Sequence, residues 1–261
     1  MVSSVAYLVI CVAALSASAL SLLSGFGLGT VLTPAFAIFF PVTIAVALAA
    51  IVHFLNNLFK LILVGKHADR KTVILFGLPA IPASLLGAQV LVWLANQKPL
   101  MDYHIRGHEF EITVVKLVVA GMMMIFAVIE MLPQMERVSF DRKYFPVGGL
   151  LSGFFGGLSG HQGALRSAFL VKSGLSKESF IGTAVVVAVL VDVARIPVYV
   201  ANFSLARSRH DLGLVFAATL SAFLGALVGT RWIKKTSARR IQTLVSIMLL
   251  AVALALVSGL I

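Results

Sequence analysis

Four basic residues lie inside long apolar stretches of this 261-residue sequence: Lys60, Lys116, Arg166 and Arg195. A basic side chain surrounded by apolar sequence is a candidate for binding an ion or a substrate, because its charge is costly in a membrane interior. Lys116 is the weakest candidate, since it lies near the end of its stretch, where a long side chain can reach the interface. Lys60 is five residues from a loop, so an interfacial and a functional position both remain open for it.

Arg166 is the strongest of the four, because it follows a glycine-rich segment. A helix that begins at such a break presents free backbone N–H groups and the positive end of its dipole, and both favour an anion. The guanidinium adds a permanent charge and a planar pair of donors. The other residues predicted for this anion site are His161, Gln162, Gly163 and Ser167. The alternative is that Arg166 binds loop carbonyls or a neighbouring carboxylate.

Asp192 and Arg195 are three residues apart in one predicted helix, so they share a face and are expected to pair. Pro197 loosens the helix just beyond them. The pair either neutralises itself inside the protein or takes part in gating or proton coupling.

A polar stripe at helical spacing marks the corresponding helix of the first half, at His53, Asn56, Asn57 and Lys60. We expect Asn56 and Asn57 to contact the substrate, and His53 and Lys60 to act in gating or coupling. The alternative is that the stripe holds helices together, as polar residues do inside membranes.

Catalytic and cofactor motifs are absent from the sequence, which has no His-Glu-x-x-His, no Gly-x-Ser-x-Gly and no phosphate-binding Gly-Lys-Ser/Thr. Isolated histidines do not make a metal site, which needs three or four converging ligands. We therefore expect no enzyme activity, no cofactor, no metal and no ATP-driven pumping.

The composition predicts an all-α polytopic membrane protein, because 60% of the residues are apolar and only 12% are charged. Apolar stretches fill almost the whole chain. They lie near residues 5–24, 29–40, 43–64, 72–95 and 112–131, and near 145–158, 163–171, 179–203, 211–230 and 241–261.

The order of these stretches predicts two homologous membrane halves, 1–131 and 145–261, joined by a cytoplasmic linker, 132–144. Stretches 29–40, 145–158 and 163–171 are too short to cross a bilayer upright and are expected to be broken or re-entrant helices. Glycine-rich segments, 24–29 and 152–160, mark the predicted breaks. Two recurring triplets favour a duplication: Ser24-Gly25-Phe26 with Ser152-Gly153-Phe154, and Leu86-Gly87-Ala88 with Leu224-Gly225-Ala226.

The basic residues of the loops predict that the halves are inverted. Thirteen lie in loops 65–71, 132–143, 172–178 and 231–240, against four in 41–42, 96–111 and 203–210. The first set is therefore expected in the cytoplasm, so that equivalent loops face opposite sides. If each broken pair of stretches makes only one crossing, the repeat is parallel instead. This distribution also explains the net charge of +11 without nucleic-acid binding.

Gly27-x-Gly29 followed by Pro34, then Gly156-Gly157-x-x-Gly160-x-x-Gly163-Ala164-Leu165-Arg166 with Gly182-Thr183, resemble the TauE/SafE sulfite exporter proteins. The resemblance covers nearly the whole chain. It implies export or import of sulfite, thiosulfate or small organosulfonates by a multi-pass protein of the bacterial inner membrane. It also implies a substrate site at the paired breaks, carried by Gly27 and Gly29 in one half and by Gly160, Gly163 and Arg166 in the other. The first break has no charged residue, unlike the second.

Together these patterns favour a secondary exporter or facilitator of a small sulfur-containing anion, embedded in the lipid bilayer. An anion channel and a non-transporting membrane assembly subunit are the alternatives, and a homodimer is left open. The sequence does not fix the anion, the direction, the coupling ion or the number of crossings.

Overall fold

The computed structural model of the protein describes residues 3–24, 27–105, 108–132, 140–170, 173–203, 209–232 and 238–261. Its helices are α1 Ser4–Ser24, α2 Leu28–Ala37, α3 Val42–Val64, α4 Arg70–Thr72, α5 Leu78–Ala95, α6 Val114–Met131, α7 Phe145–Ser159, α8 Gln162–Leu170, α9 Lys177–Asn202, α10 Arg209–Trp232 and α11 Ala238–Val257. A π-helical turn, Val73–Gly77, joins α4 to α5 without interruption.

The chain is a multi-pass membrane protein. Six of its helical segments within the described residues are long and apolar enough to cross a bilayer. Large apolar side chains point outward from several of them, with Leu8 67%, Phe216 66% and Leu244 68% exposed. Because exposed leucine and phenylalanine on this scale are unfavourable in water, these faces contact lipid. The all-α polytopic fold predicted from the apolar stretches is confirmed.

α2 and α8 have only ten and nine residues. At 1.5 Å per residue, neither spans the roughly 30 Å of hydrocarbon. Every residue of α2 is buried, so this short helix lies inside the protein. Inside protein, a helix end in the middle of a membrane is tolerated, because neighbouring groups can satisfy its free backbone groups.

A small antiparallel hairpin follows α5, and the sequence analysis did not predict it. Its strands are β1 Met101–Ile105 and β2 His108–Ile112, within or next to the loop predicted at 96–111. Tyr103 stacks on Phe110 across the hairpin, with ring centroids 5.3 Å apart, and its hydroxyl donates to the Ser258 carbonyl after α11. The hairpin therefore joins the ends of α5, α6 and α11 on one side of the protein.

The second glycine-rich segment is not unwound, which corrects one prediction. α7 continues to Ser159, and only Gly160, with φ +84°, and His161 separate it from α8. Gly153 and Gly157 lie within α7, where a Cβ would collide with the backbone of α5. These glycines therefore permit close helix packing instead of marking a break.

The pairing of Ser24-Gly25-Phe26 with Ser152-Gly153-Phe154 is also wrong. Ser24 is the last residue of α1, whereas Ser152 lies in the middle of α7; Gly25 and Phe26 lie outside the described residues. The residue that ends α7 is Ser159, 135 residues after Ser24. The equivalent triplets are therefore Leu23-Ser24-Gly25 and Leu158-Ser159-Gly160.

The helices of residues 1–131 pack mainly against those of 145–261. α5 lies along α7, α1 along α10, α3 against α9 and α6 against α11. Glycines sit at the closest approaches, where a Cβ on Gly87 would meet the Phe154 carbonyl and one on Gly225 the Leu15 carbonyl. The two predicted halves thus interlock along their length. Their boundaries stay a prediction, and residues 133–139 of the predicted linker lie outside the described residues.

Gly182 and Thr183, at the start of α9, hold the loop between α3 and α4. The backbone N–H of Asp69 donates to the Thr183 hydroxyl at 2.9 Å, and a Cβ on Gly182 would lie 2.7 Å from the Val64 carbonyl oxygen. Asp69 in turn caps α4 by accepting from the hydroxyl and backbone N–H of Thr72, which lower the pKa of Asp69. This end of α9 is therefore fixed to the first half.

Candidate functional site

The two short helices meet where they begin. A Cβ on Gly27, just before α2, would lie 3.1 Å from Gly163 Cα in α8. A Cβ on Gly29 would lie 2.7 Å from the Gly160 carbonyl oxygen. Glycine at these positions lets the two breaks touch backbone to backbone, and the polar residues of α3 and α9 lie against this contact.

A buried ion-pair cluster joins α3 to α9 beside the crossing. Asp192 Oδ1 accepts from Arg195 Nε at 2.9 Å and Nη2 at 2.8 Å, which is the pairing expected from their spacing. The other oxygen, Oδ2, lies 2.6 Å from His53 Nδ1. All three side chains are at most 2% exposed. A buried carboxylate with this many charged and polar donors is held in one geometry.

Arg195 and Tyr199 extend the cluster to α7. Arg195 Nη1 donates to the Gly156 carbonyl, and the Tyr199 hydroxyl donates to the Gly157 carbonyl. These carbonyls belong to the last turn of α7, where helical partners are missing or weak. The sequence analysis missed Tyr199, although its spacing of four residues from Arg195 places both side chains on one face of α9.

Gln162 connects the ion-pair cluster to Arg166. Its amide nitrogen lies 3.5 Å from Asp192 Oδ1, and its amide oxygen accepts from Arg166 Nη1 at 3.2 Å. The Ser152 hydroxyl donates to the Gln162 carbonyl at 3.0 Å, which fixes the start of α8 on α7. Arg166 is 6% exposed, and its Nε has no hydrogen-bond partner among the described residues. Part of its donor capacity is therefore available to a ligand.

Lys60 points inward and is 3% exposed, so it does not extend to the interface. Its Nζ donates to Ser21 Oγ at 2.6 Å and to the Ser18 carbonyl at 3.4 Å, both in α1. In the amide orientation that satisfies both ends, Asn56 accepts from Lys60 Nζ at 3.0 Å and donates to the Ala222 carbonyl at 3.2 Å. Lys116, by contrast, is half-buried and donates to the Glu111 carbonyl at the start of α6.

A cavity of about 30 Å³ lies between α1, α2, α3, α8 and α9. Lys60 and Arg166 both line it, and no acidic side chain does. The remaining lining residues are Ser21, Leu28, His53, Asn57, Phe180, Ile181, Ala184 and Val185. Leu28 is the first residue of α2, whose N-cap, Gly27, offers no side-chain acceptor. The cavity therefore joins two buried cations with a helix N-terminus, and this arrangement suits an anion.

Four of the residues predicted from sequence line this cavity: His53, Asn57, Lys60 and Arg166. Asn57 donates to the His53 carbonyl at 2.8 Å. Others support the cavity from behind, since Gln162 holds Arg166, Asn56 holds Lys60, and Asp192 with Arg195 holds His53. Gly27, Gly29, Gly163 and Ser167 belong to the crossing helices and do not line it.

His161 lies apart from the cavity. Its ring stacks on Phe126 of α6, with centroids 5.5 Å apart and planes at 2°, and its Nδ1 lies 3.0 Å from Ser159 Oγ. Sequence reasoning placed it beside Arg166 because the two are close along the chain. In the structure, His161 precedes α8 and faces α6, whereas Arg166 lies one turn further on and faces α3.

A repeated spacing could have revealed more of the site from sequence. Asn57-x-x-Lys60 in α3 and Asp192-x-x-Arg195 in α9 are 135 residues apart, the same interval that separates Ser24 from Ser159. Ser21, which receives Lys60, and Gly156, which receives Arg195, are also 135 residues apart. Among the described residues, no group of three or more histidine, cysteine or acidic residues is arranged to hold a metal ion.

Comparison with known proteins gives one match. The family model described as Sulfite exporter TauE/SafE matches residues 10–256. No curated protein and no solved structure matches the chain.

Proposed function

The chain belongs to the Sulfite exporter TauE/SafE family, a family of membrane transporters, and from that premise we propose that it is a secondary transporter of a small sulfur oxyanion. Sulfite, thiosulfate and small organosulfonates are the substrate class. The proposed location is the bacterial inner membrane, and a homodimer stays a prediction.

The observation that carries the proposal is the cavity lined by Lys60 and Arg166 and by no carboxylate. Two buried cations repel each other unless a negative charge lies near both. An oxyanion at this position would accept from Lys60 Nζ and from the free side of the Arg166 guanidinium. Arginine binds two oxygens of such a group through parallel N–H donors, which a lysine does not.

The remaining polar residues have supporting roles in this proposal. Asn57 contacts the substrate from the cavity wall, and Gln162 orients Arg166 through its amide oxygen. The His53–Asp192 contact links α3 of the first half to α9 of the second. Since a transporter must open its site to each side in turn, this link between halves is the proposed gate.

An inverted repeat is part of the proposal. It is supported by the exchange of partners, with α5 of the first half on α7 of the second and α10 of the second half on α1 of the first. The constant interval of 135 residues supports it as well. Topology reporters fused after residues 68 and 206 should face opposite sides of the membrane, with 68 in the cytoplasm. The same side for both would replace the inverted repeat with a parallel one.

Flux in proteoliposomes tests the function. Purified protein should accelerate sulfite entry with saturable kinetics, and sulfite trapped inside should stimulate counterflow. Arg166→Gln should abolish both while remaining monodisperse in detergent. Flux without counterflow would indicate a channel, and no flux with any sulfite, thiosulfate or sulfonate substrate would favour an assembly role.

A further inference from the structure

The charges around the cavity do not cancel among the described residues. The buried cluster holds three permanent or ammonium cations, Lys60, Arg166 and Arg195, and one carboxylate, Asp192. Asp192 spends its charge on Arg195, with which it makes two contacts of 2.9 Å or less. Lys60 and Arg166 have no such partner, and their described hydrogen bonds go to neutral oxygens.

His53 adds no charge to this cluster. Its Nδ1 faces the Asp192 carboxylate at 2.6 Å and therefore carries a proton. Its Nε2 lies 3.2 Å from the Asn57 amide nitrogen, which is a donor, so Nε2 accepts and carries no proton. The ring is thus neutral, and the cavity faces two uncompensated positive charges.

We propose that the site selects a dianion over a monoanion of the same shape, and that Lys60 is the residue that sets this preference. The inference rests on the proposed function, since it concerns the same cavity. A dianion cancels both cations, whereas a monoanion leaves one of them buried without a counter-charge, which is unfavourable in a low-dielectric interior. For sulfite, the bound species is therefore SO₃²⁻ instead of bisulfite.

Lys60 and Arg166 contribute differently to this preference. Arg166 offers a planar fork that recognises the arrangement of oxygen atoms. Lys60 offers a point charge already held by Ser18, Ser21 and Asn56, so it adds charge with little geometric demand. Removing Arg166 should weaken every oxyanion, and removing Lys60 should weaken dianions selectively.

Sulfite and chlorate separate charge from shape, because both are pyramidal XO₃ anions and chlorate carries a single charge. Binding to the purified full-length protein is measured by thermal stabilisation, since a ligand of the native state raises apparent stability. At alkaline pH, where sulfite is the dianion, wild type should bind sulfite at least roughly tenfold more tightly than chlorate. Equal affinities for the two anions would overturn the inference, whatever the variants do.

Lys60→Met keeps the length of the side chain and removes its charge. Sulfite affinity should fall by roughly tenfold or more, chlorate affinity should be retained, and Lys60→Arg should restore the preference for sulfite. Lys116→Met makes the same substitution outside the cavity and should leave both affinities unchanged. A Lys60→Met protein that loses sulfite and chlorate equally would assign Lys60 a structural role only.

The two hypotheses fail in different ways. If neither anion binds and no flux occurs, the transport proposal fails. If sulfite flux is saturable and depends on Arg166 while chlorate binds as tightly as sulfite, transport stands and the charge preference fails.

Discussion

Lys60 in the first half and Arg195 in the second occupy matching positions and make matching contacts. Lys60 Nζ donates to Ser18 and Ser21 near the end of α1, and Arg195 Nη1 donates to Gly156 near the end of α7. In each half, a cation of the long third helix thus satisfies oxygens at the end of the first helix, just before the chain breaks. Free carbonyls at helix ends favour a positive side chain, so both halves need this contact to bury their breaks.

The halves differ in what balances the cation. Three residues before Arg195 stands Asp192, and three residues before Lys60 stands the neutral Asn57. The fifth residue of α2 is the buried Leu32, whereas the fifth residue of α8 is Arg166. The second half is therefore neutralised at its ion pair, and unbalanced charge collects where Lys60 faces Arg166. We infer that the shared contact is structural, whereas the difference between the halves creates one anion site per chain instead of two.

Asp192→Asn should have the largest effect, because it leaves Arg195 as unbalanced in the second half as Lys60 is in the first. Breaking a buried pair by removing one partner costs roughly 3 to 5 kcal/mol, so folded yield and melting temperature in detergent should fall sharply. The double variant Asp192→Asn/Arg195→Gln should recover part of this loss. Additive losses would show that the two residues do not interact.

Asn57→Asp makes the opposite change, since it gives the first half the carboxylate of the second. The new charge should neutralise Lys60 or Arg166, so sulfite affinity should fall by roughly tenfold or more while the melting temperature holds or rises. Thermal stabilisation by sulfite measures both quantities. Unchanged affinity in a well-folded Asn57→Asp protein would mean that the anion binds elsewhere.

Gly87→Ala and Gly225→Ala test a feature in which the halves are alike. A Cβ at either position would collide with a backbone carbonyl of the facing helix, so each variant should lose roughly 1 to 3 kcal/mol of stability, to a similar extent. Gly121→Ala is the matched control, because a Cβ on that helical glycine meets nothing within 4 Å. A tolerated substitution at only one of the two positions would show that the paired interfaces are not equivalent.

The sequence was sufficient for the helices and insufficient for the breaks. Stretches of apolar residues predicted α1 to α3 and α6 within a few residues of their ends, because crossing a bilayer demands length and hydrophobicity together. Glycine has two roles that look the same in sequence. Gly160 adopts a positive φ at a break, whereas Gly157 remains helical against α5.

The partners of the candidate site were the least predictable part. Helical spacing was enough to pair Asp192 with Arg195. The contact between Asp192 and His53 joins residues 139 positions apart, and local periodicity carries no information about such a distance. The inward direction of Lys60 depends likewise on Ser18 and Ser21 in α1, which carry no charge and gave no signal in the sequence.

The position of a bound oxyanion tests the central claim most directly. Selenite has the pyramidal shape of sulfite, and its selenium can be located by anomalous diffraction in crystals of the full-length protein. The account predicts one selenium peak in the cavity, within hydrogen-bond reach of Lys60 Nζ and the Arg166 guanidinium, and no peak there in Arg166→Gln crystals. A peak beside His161 and Phe126, with none between Lys60 and Arg166, would contradict it.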